Sequence, residues 1–425
     1  MSFEITCRDI LCGVANGVRS STSGSGRLTD HLSIGVLAGL IHRDIVDDVI
    51  RECGKREKRQ RLLPAHVVMY YVLALNLFFG EAYEEVLRQL VNGLKFLGNW
   101  RDNWEIPSTS AISQARTRLG EAPMKLLFER IAVPMAGAGT RGAWYRGLRV
   151  MAIDGTVIDV PDTDVNAAEF GYHSPGTAKQ SAFPQVRIVN LVECGTHASV
   201  WAEFDGVKTS ERVLTERMAA AFTDDMIVLA DRGLYSYHLW TTAMDGGAQL
   251  LWRISKTVDL PVLEQYRDGS FRSELLPSKM KAAIKAGRTP VDVDDYRIPV
   301  RVIEYIVKGR GETETIRLIT TILEPQRAPA DTLAALYQQR WEHELVFDEI
   351  KTHQMNQHRI LRSRTPDLVK QEIWGLLITH YATQVFITEA ADELGADPDR
   401  YSYVSTINII RRQVLNQAAI SPLIT

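Results

Sequence analysis

From about residue 30 to residue 137 the apolar positions recur mainly at helical spacing, and Thr109–Gly120, preceded by Pro107, reads as a capped helix ending at glycine. At Leu148 the pattern changes. An apolar run, Leu148–Ile153, leads into Asp154-Gly155-Thr156 and then into Val157-Ile-Asp-Val160, with a turn at Pro161. Strand-like runs follow over Gln185–Glu193 and Ala198–Phe204. The chain then predicts a helix over Glu211–Phe222, a strand over Met226–Ala230, a helix over Tyr237–Met244 and a strand over Gln249–Ile254. Three adjacent strands followed by alternating helices and strands predict an α/β sheet in which long hairpins precede βαβ units. Between Lys256 and Pro325 charged turns with Gly269, Gly287 and Gly311 separate β-rich runs such as Ile298–Val307 and Glu314–Leu323, which read as an insertion. A helix without Gly or Pro then spans Tyr337–Lys351, with Asp331 available as a cap. After Thr365-Pro366 the pattern is helical again and is expected to cover the sheet.

These changes of rhythm divide the chain into a flexible segment, 1–29, ending in the Ser/Gly-rich stretch Ser20–Gly26, and a helical domain, 30–145. An α/β core follows over 146–255 and 327–365, interrupted by a β-rich insertion, 256–326, and trailed by C-terminal helices, 366–425. A chain of 425 residues has room for two or three domains with buried cores. Its net charge of -3 carries no global basic signal, so nucleic-acid binding would use local patches. The four cysteines, Cys7, Cys12, Cys53 and Cys194, make no CxxC pair and suit a reducing cytoplasm. The N-terminus has polar and acidic residues where a secretory signal needs an apolar run. The apolar runs Val67–Phe79 and Ile373–Ile387 are short and interrupted by polar residues, as in buried helices of a soluble protein. After Arg411-Arg412 no basic or helical tail is evident.

Candidate chemistry centres on the helix over Tyr337–Lys351. At 3.6 residues per turn, Tyr337, Arg340, Trp341, Glu344 and Lys351 fall close to one stripe. A tyrosine, two cations and one carboxylate on a single face suit an anion gripped above a metal-binding carboxylate; the competing reading is a solvated face stitched by Arg340–Glu344 and Asp348–Lys351 pairs. Asp154 and Asp231 each close a predicted strand and have glycine within two residues, which leaves room for a ligand. With Glu344 they form an oxygen-rich set of the kind that Mg²⁺ or Mn²⁺ prefers. Two such ions about 4 Å apart activate an attacking hydroxyl and stabilise the departing oxygen of a phosphodiester. No GxGxxG after a strand, no GxxxxGK[ST] and no HExxH is present, and His353 and His358 read as surface or packing residues. Glu342 and Glu349 are rival carboxylates on the same helix, Glu342 roughly on its far side; Asp159 and Asp162 are rivals beyond the Asp-Gly turn. The cations Arg51, Lys55, Arg56, Lys58, Arg59 and Arg61 crowd one region, a solvated face that could also meet phosphate.

On these motifs the chain resembles the bacterial cut-and-paste transposases of the insertion-sequence-four family. That family's signature Tyr-x2-Arg-x3-Glu-x6-Lys is matched by Tyr337, Arg340, Glu344 and Lys351, its first Asp motif by Asp154-Gly155-Thr156 and its second by Asp231-Arg232-Gly233. Ala111–Leu119 resembles a segment common in the helical N-terminal part of such proteins. The resemblance implies a DDE core of ribonuclease-H-like α/β fold with a β-rich insertion, behind a helical DNA-binding domain. By it, Asp154, Asp231 and Glu344 would hold two Mg²⁺ or Mn²⁺ ions, and Tyr337, Arg340 and Lys351 would bind phosphates near the cleaved transposon end. Arg56, Arg59, Arg116, Arg118 and Trp341 are further candidate DNA contacts. The partners implied are double-stranded terminal repeats and target DNA, met by a homodimer on paired ends. Some members form DNA hairpins with an aromatic from the insertion; Trp252 precedes the insertion here, and Tyr296 and Tyr305 are the aromatics considered. The alternatives are a silent or co-opted end-binding protein and a structure-selective nuclease on the same fold.

Overall fold

The computed structural model describes residues 37, 40–59, 62–92, 106–173, 180–288, 291–308, 313–355 and 360–416. The linker at 20–26, Cys7, Cys12, Arg61, His358 and the last nine residues lie outside them. In chain order the helices begin with α1 (Arg43–Glu52), α2 (Ala65–Leu77), α3 (Tyr83–Asn92), α4 (Thr109–Leu119) and α5 (Ala122–Ile131). The strands and helices that follow are β1 (Trp144–Tyr145), β2 (Leu148–Asp159), α6 (Asp164–Phe170), β3 (Gln185–Glu193), β4 (Ala198–Gly206), α7 (Glu211–Met218), β5 (Met226–Ala230), α8 (Tyr237–Met244) and β6 (Gln249–Arg253). Next come β7 (Glu264–Gln265), β8 (Phe271–Leu275), α9 (Ser278–Lys285), β9 (Ile298–Lys308), β10 (Thr313–Thr320), α10 (Ala330–Tyr337) and α11 (Trp341–Asp348). The last two helices are α12 (Pro366–Glu393) and α13 (Tyr403–Asn416).

The chain forms two compact units, 136–348 and the combination of 1–135 with 349–425. The C-terminal helices were expected to cover the sheet. Instead α12 packs on α2 and α5 within the helical unit. The reason is that both α2 and the middle of α12 are buried all round: every residue of α2 is buried, as is the run from Gln371 to Gln384. Such helices need partners on several sides. Close approach is possible because Gly375 has no side chain; a Cβ there would lie 2.4 Å from Asn76 Nδ2 and 2.9 Å from Val72 Cγ1. No described helix is long and apolar enough to cross a membrane.

The second unit is built on one ten-stranded sheet in the order β4-β3-β2-β5-β6-β10-β9-β8-β7, with β1 paired to β2. β4, β3 and β2 are antiparallel, whereas β2, β5 and β6 are parallel. The expected insertion is therefore no separate layer: β10 pairs antiparallel with β6 and carries the sheet outward. It also includes a helix, α9, that the strand pattern did not predict.

Two local expectations are also corrected. β2 does not stop at Asp154 but runs on to Asp159, because its antiparallel ladder with β3 continues through Asp154↔Asn190 to Asp159↔Gln185. Its parallel ladder with β5 does stop, at Ile153↔Ala230. Asp154 and Asp231 are thus the first residues beyond the parallel pairing on neighbouring strands. The helix over Tyr337–Lys351 is not one regular element: α10 passes through a 3₁₀ turn, Gln338–Arg340, into α11 and then a π-helical stretch, Glu349–Gln354. Asp331 is not its cap, since Pro329 holds the N-cap position and the Asp331 carboxylate accepts from the Thr332 N–H at 2.8 Å.

Candidate active site

Strand periodicity places the two aspartates. Side chains two apart share a face of a sheet. Val150 and Ala152 of β2 and Ile227 and Leu229 of β5 belong to one buried cluster with Leu333, Leu336 and Tyr337 of α10. Asp154 and Asp231 continue the same parity and so come up on the face that α10 covers. Burying two large aliphatics and a tyrosine from one helix contributes on the order of 1.5–3 kcal/mol each, enough to hold that helix over the strand ends.

The helix then delivers its own groups to this place. The Tyr337 hydroxyl, buried, donates to the Ala230 carbonyl at 3.3 Å and reaches Asp231 Oδ1 at 3.5 Å. Arg340 spans two carboxylates, with Nη1 3.3 Å from Asp154 Oδ2 and Nη2 3.0 Å from Glu344 Oε1. Its Nε is buried and has no hydrogen-bond partner among the described residues. Trp341 is 61% exposed, and the Arg340 guanidinium lies 5.5 Å from its ring centre. Asp154, Asp231, Tyr337, Arg340 and Glu344 are therefore brought together within one unit. Lys351 lies in the π-helical stretch of the helical unit.

The far face of α11 is an anchor. Glu342 accepts from the Gly195 N–H in the β3–β4 turn, and Cys194 Sγ faces the Gln339 carbonyl at 3.6 Å. Buried His343 meets the Asn190 carbonyl at 3.1 Å, and burial pushes its pKa down to about 3, so the ring is neutral. Glu342 thus faces away from Glu344, as its spacing predicts. Glu349 is engaged elsewhere, with His380 at 2.9 Å and Gln384 at 2.7 Å.

One carboxylate at this site escaped the reading of the sequence. Glu211, at the start of α7, lies across Gly155: a Cβ on Gly155 would sit 2.7 Å from Glu211 Cγ and 2.8 Å from Cδ. This gives the Asp-Gly-Thr glycine a specific task, leaving room for Glu211. Nothing local in Ser210-Glu211 signals it, because the contact joins residues far apart in the chain. Burial raises the Asp154 carboxyl to about 6; the Gly155 N–H and Arg340 oppose the rise, while Glu211 and Asp231 add to it.

A hard divalent cation fits this donor set, which is all carboxylate oxygen with mutual repulsion that a cation would relieve. Among the described residues no three His, Cys, Asp or Glu side chains are gathered closely enough to hold an ion as they stand. Arg340 bridges Asp154 to Glu344 instead.

Several expected DNA contacts take other roles. Arg116 is fully buried, its donors used on Gln371, Tyr83, Ser363 and the Leu368 carbonyl at 2.8–3.1 Å, so it cannot reach DNA. Arg118 is largely engaged by Glu57 and the Leu63 carbonyl. Arg116 sits on the side of α4 that faces the helical core, a direction that a list of cations does not reveal. Arg56 and Arg59 are exposed. Trp252 is fully buried in β6 against Trp240, Tyr305 is partly buried, and Tyr296 is 39% exposed.

Comparison with known proteins gives the family. The family described as insertion element 4 transposase N-terminal matches residues 31–129, and the transposase DDE domain matches residues 145–381. The transposase InsG of insertion sequence element IS4 from Escherichia coli (strain K12) is 27% identical over 91% of this chain and 84% of its own length. The putative transposase InsZ of the same organism is 29% identical over 46% of this chain and 62% of its own. Among solved structures, a piggyBac transposase synaptic complex with hairpin DNA aligns with a TM-score of 0.45 at 10% identity, over 92% of this chain and 82% of that one. With the DDE domain matching more than half of its residues behind a matching N-terminal region, the chain belongs to the insertion-sequence-four family of DDE transposases.

Proposed function

We propose that this DNA transposase cuts at transposon ends and joins the freed 3′-hydroxyl to target DNA at one ribonuclease-H-like site formed by Asp154, Asp231 and Glu344. The observation that carries this reading is the Arg340 guanidinium held between Asp154 and Glu344, next to Asp231 under Tyr337. Asp154, Asp231 and Glu344 would hold Mg²⁺ or Mn²⁺, which when bound activates the attacking hydroxyl and stabilises the departing oxygen. Cleavage and joining are phosphoryl transfers of one type, water attacking first and the 3′-hydroxyl second, so one set of groups serves both.

The chain's own residues supply orientation. Arg340 presents a planar fork that suits two phosphate oxygens as well as it suits two carboxylates. With a phosphate and a cation in place, its partners would change from Asp154 and Glu344 to the DNA backbone. Tyr337, packed against Ala230 and Asp231, fixes the second aspartate. Trp341 offers an exposed ring beside Arg340, and Lys351 a further cation for phosphate. The helical unit would bind terminal repeats, and two copies would pair two ends.

The test uses full-length protein and duplexes carrying the element's terminal sequence, with Mg²⁺ or Mn²⁺ against a chelator. Glu344→Gln is expected to keep end binding and lose strand cleavage; retained cleavage by that variant removes Glu344 from the site. Transfer of the freed 3′ end to a second duplex separates a transposase from a nuclease on the same fold.

A further inference from the structure

The helical unit contains an open groove of about 810 Å³ between α4 and the 362–368 segment. Ser110, Ser113, Gln114 and Thr117 of α4 line one side, at the i, i+3, i+4 and i+7 spacing of a single helix face. Ser110, Gln114 and Thr117 are exposed, whereas Ile112, Ala115, Arg116 and Leu119 on the opposite face are buried. The groove is also lined by Arg118, Arg362 and Arg364, and among the described residues no carboxylate lines it.

The groove is stiff, and its polar groups are set in a largely apolar wall. Arg116 ties the buried face of α4 to Gln371 and Ser363. Arg362 donates to the Leu75 and Glu81 carbonyls and lies 4.7 Å from the Phe79 ring centre. Arg364 and Thr365 are exposed at the rim. Short hydroxyl side chains and guanidinium groups facing one channel are the usual partners of phosphate and sugar, and a glutamine can read adenine through two hydrogen bonds.

We infer that this groove seats the backbone of duplex DNA, with Ser113 and Arg364 on phosphates and Gln114 turned to a base edge. The inference rests on the reading of the chain as a DNA-acting transposase, and goes beyond it by naming the surface. It also reassigns α4: its buried Arg116 stiffens the helix, and its small polar residues meet the DNA.

The experiment measures binding of full-length protein to a labelled mixed-sequence duplex by anisotropy over a range of potassium chloride. Arg364→Ala is expected to weaken binding and to lower the salt slope by about one. Gln114→Glu, which puts a negative charge into the groove without touching the core, is expected to weaken it as well. Arg43→Ala, on α1 where Asp47 already holds the guanidinium at 2.8 Å, is the control and should leave the slope unchanged. In a selection from randomised duplexes, Gln114→Ala should alter the preferred sequence. Unchanged affinity and slope for both groove variants would overturn the inference, as would an equal loss in the control or tighter binding to an RNA duplex of equal length. Metal-dependent cleavage by the same variants, assayed at saturating protein, keeps the two readings apart: if it persists while the binding arms fail, only the groove is lost.

Discussion

Arg116 and Arg340 are both buried arginines, one in each compact unit, and they differ in how their donors are used. Arg116 is 0% exposed, and all three of its guanidinium nitrogens donate to neutral groups at normal distances. Arg340 is 8% exposed, meets two carboxylates and, among the described residues, leaves its buried Nε without a partner. A saturated guanidinium has nothing left to offer a ligand and acts as a post between helices. An under-satisfied one beside several carboxylates sits in a charge pattern that a phosphate and a cation would complete. Burial alone does not separate structure from function; the bookkeeping of donors does.

The largest expected effect on stability comes from the post. Arg116→Ala removes four hydrogen bonds and leaves a cavity, so unfolding in urea should show a loss of about 3–5 kcal/mol. A loss below about 1 kcal/mol would mean that water replaces the side chain and that the contrast with Arg340 is false.

Gly155→Ala comes next. The added methyl collides with Glu211, and the expected cost is about 1–3 kcal/mol. Combining it with Glu211→Ala should recover most of that, a coupling read from a double-mutant cycle. Additive losses would show that Glu211 moves aside freely.

Asp154→Asn tests the charge pattern through pH. The folded-state carboxyl is raised to about 6, above its ordinary value, so its own contribution to stability is fully present at low pH and is lost as pH rises from about 4 to about 6. Relative to wild type the variant should therefore gain about 1–2 kcal/mol above that window and nothing below it, a full shift being reduced because the side chain is 27% exposed. Thermal melts at both ends of the window check this, and an equal gain at both would discard the raised carboxyl.

The smallest effect on stability belongs to Arg340→Lys, expected to be a loss of about 0.5–1 kcal/mol, because the ammonium keeps the charge between Asp154 and Glu344 but loses one of the two hydrogen bonds. Its effect on DNA should be far larger, a fall of about tenfold in end complexes or cleavage, because an ammonium cannot form the fork. Wild-type rates in this variant would make Arg340 a second post like Arg116.

Much of this was legible before any coordinates. Gln185–Glu193, Met226–Ala230 and Tyr237–Met244 match their predicted spans residue for residue, since buried strands and a serine-capped helix leave clear local patterns. The misreadings share a cause. Asp154-Gly155 looks like a strand end, yet the neighbouring strand, not the local residues, keeps β2 extended to Asp159. The 3₁₀ and π stretches around α11 differ from an α-helix only in which carbonyl each N–H meets, and composition does not record that. Arg116 carries the same charge in any direction, and only the packing of α4 turns it inward.

By itself the sequence determined the family, the order of the core strands β2 to β6 with helices α7 and α8, and the spacing that puts Tyr337, Arg340 and Glu344 on one helix face. Periodicity and motif spacing are local properties, written in neighbouring residues. Only the tertiary structure decided that Asp154 and Asp231 share a sheet face under α10, that Glu211 lies across Gly155, and that the last helices join the first ones. Those outcomes depend on which distant surfaces exclude water from one another, and pairing at long range is set by the whole fold.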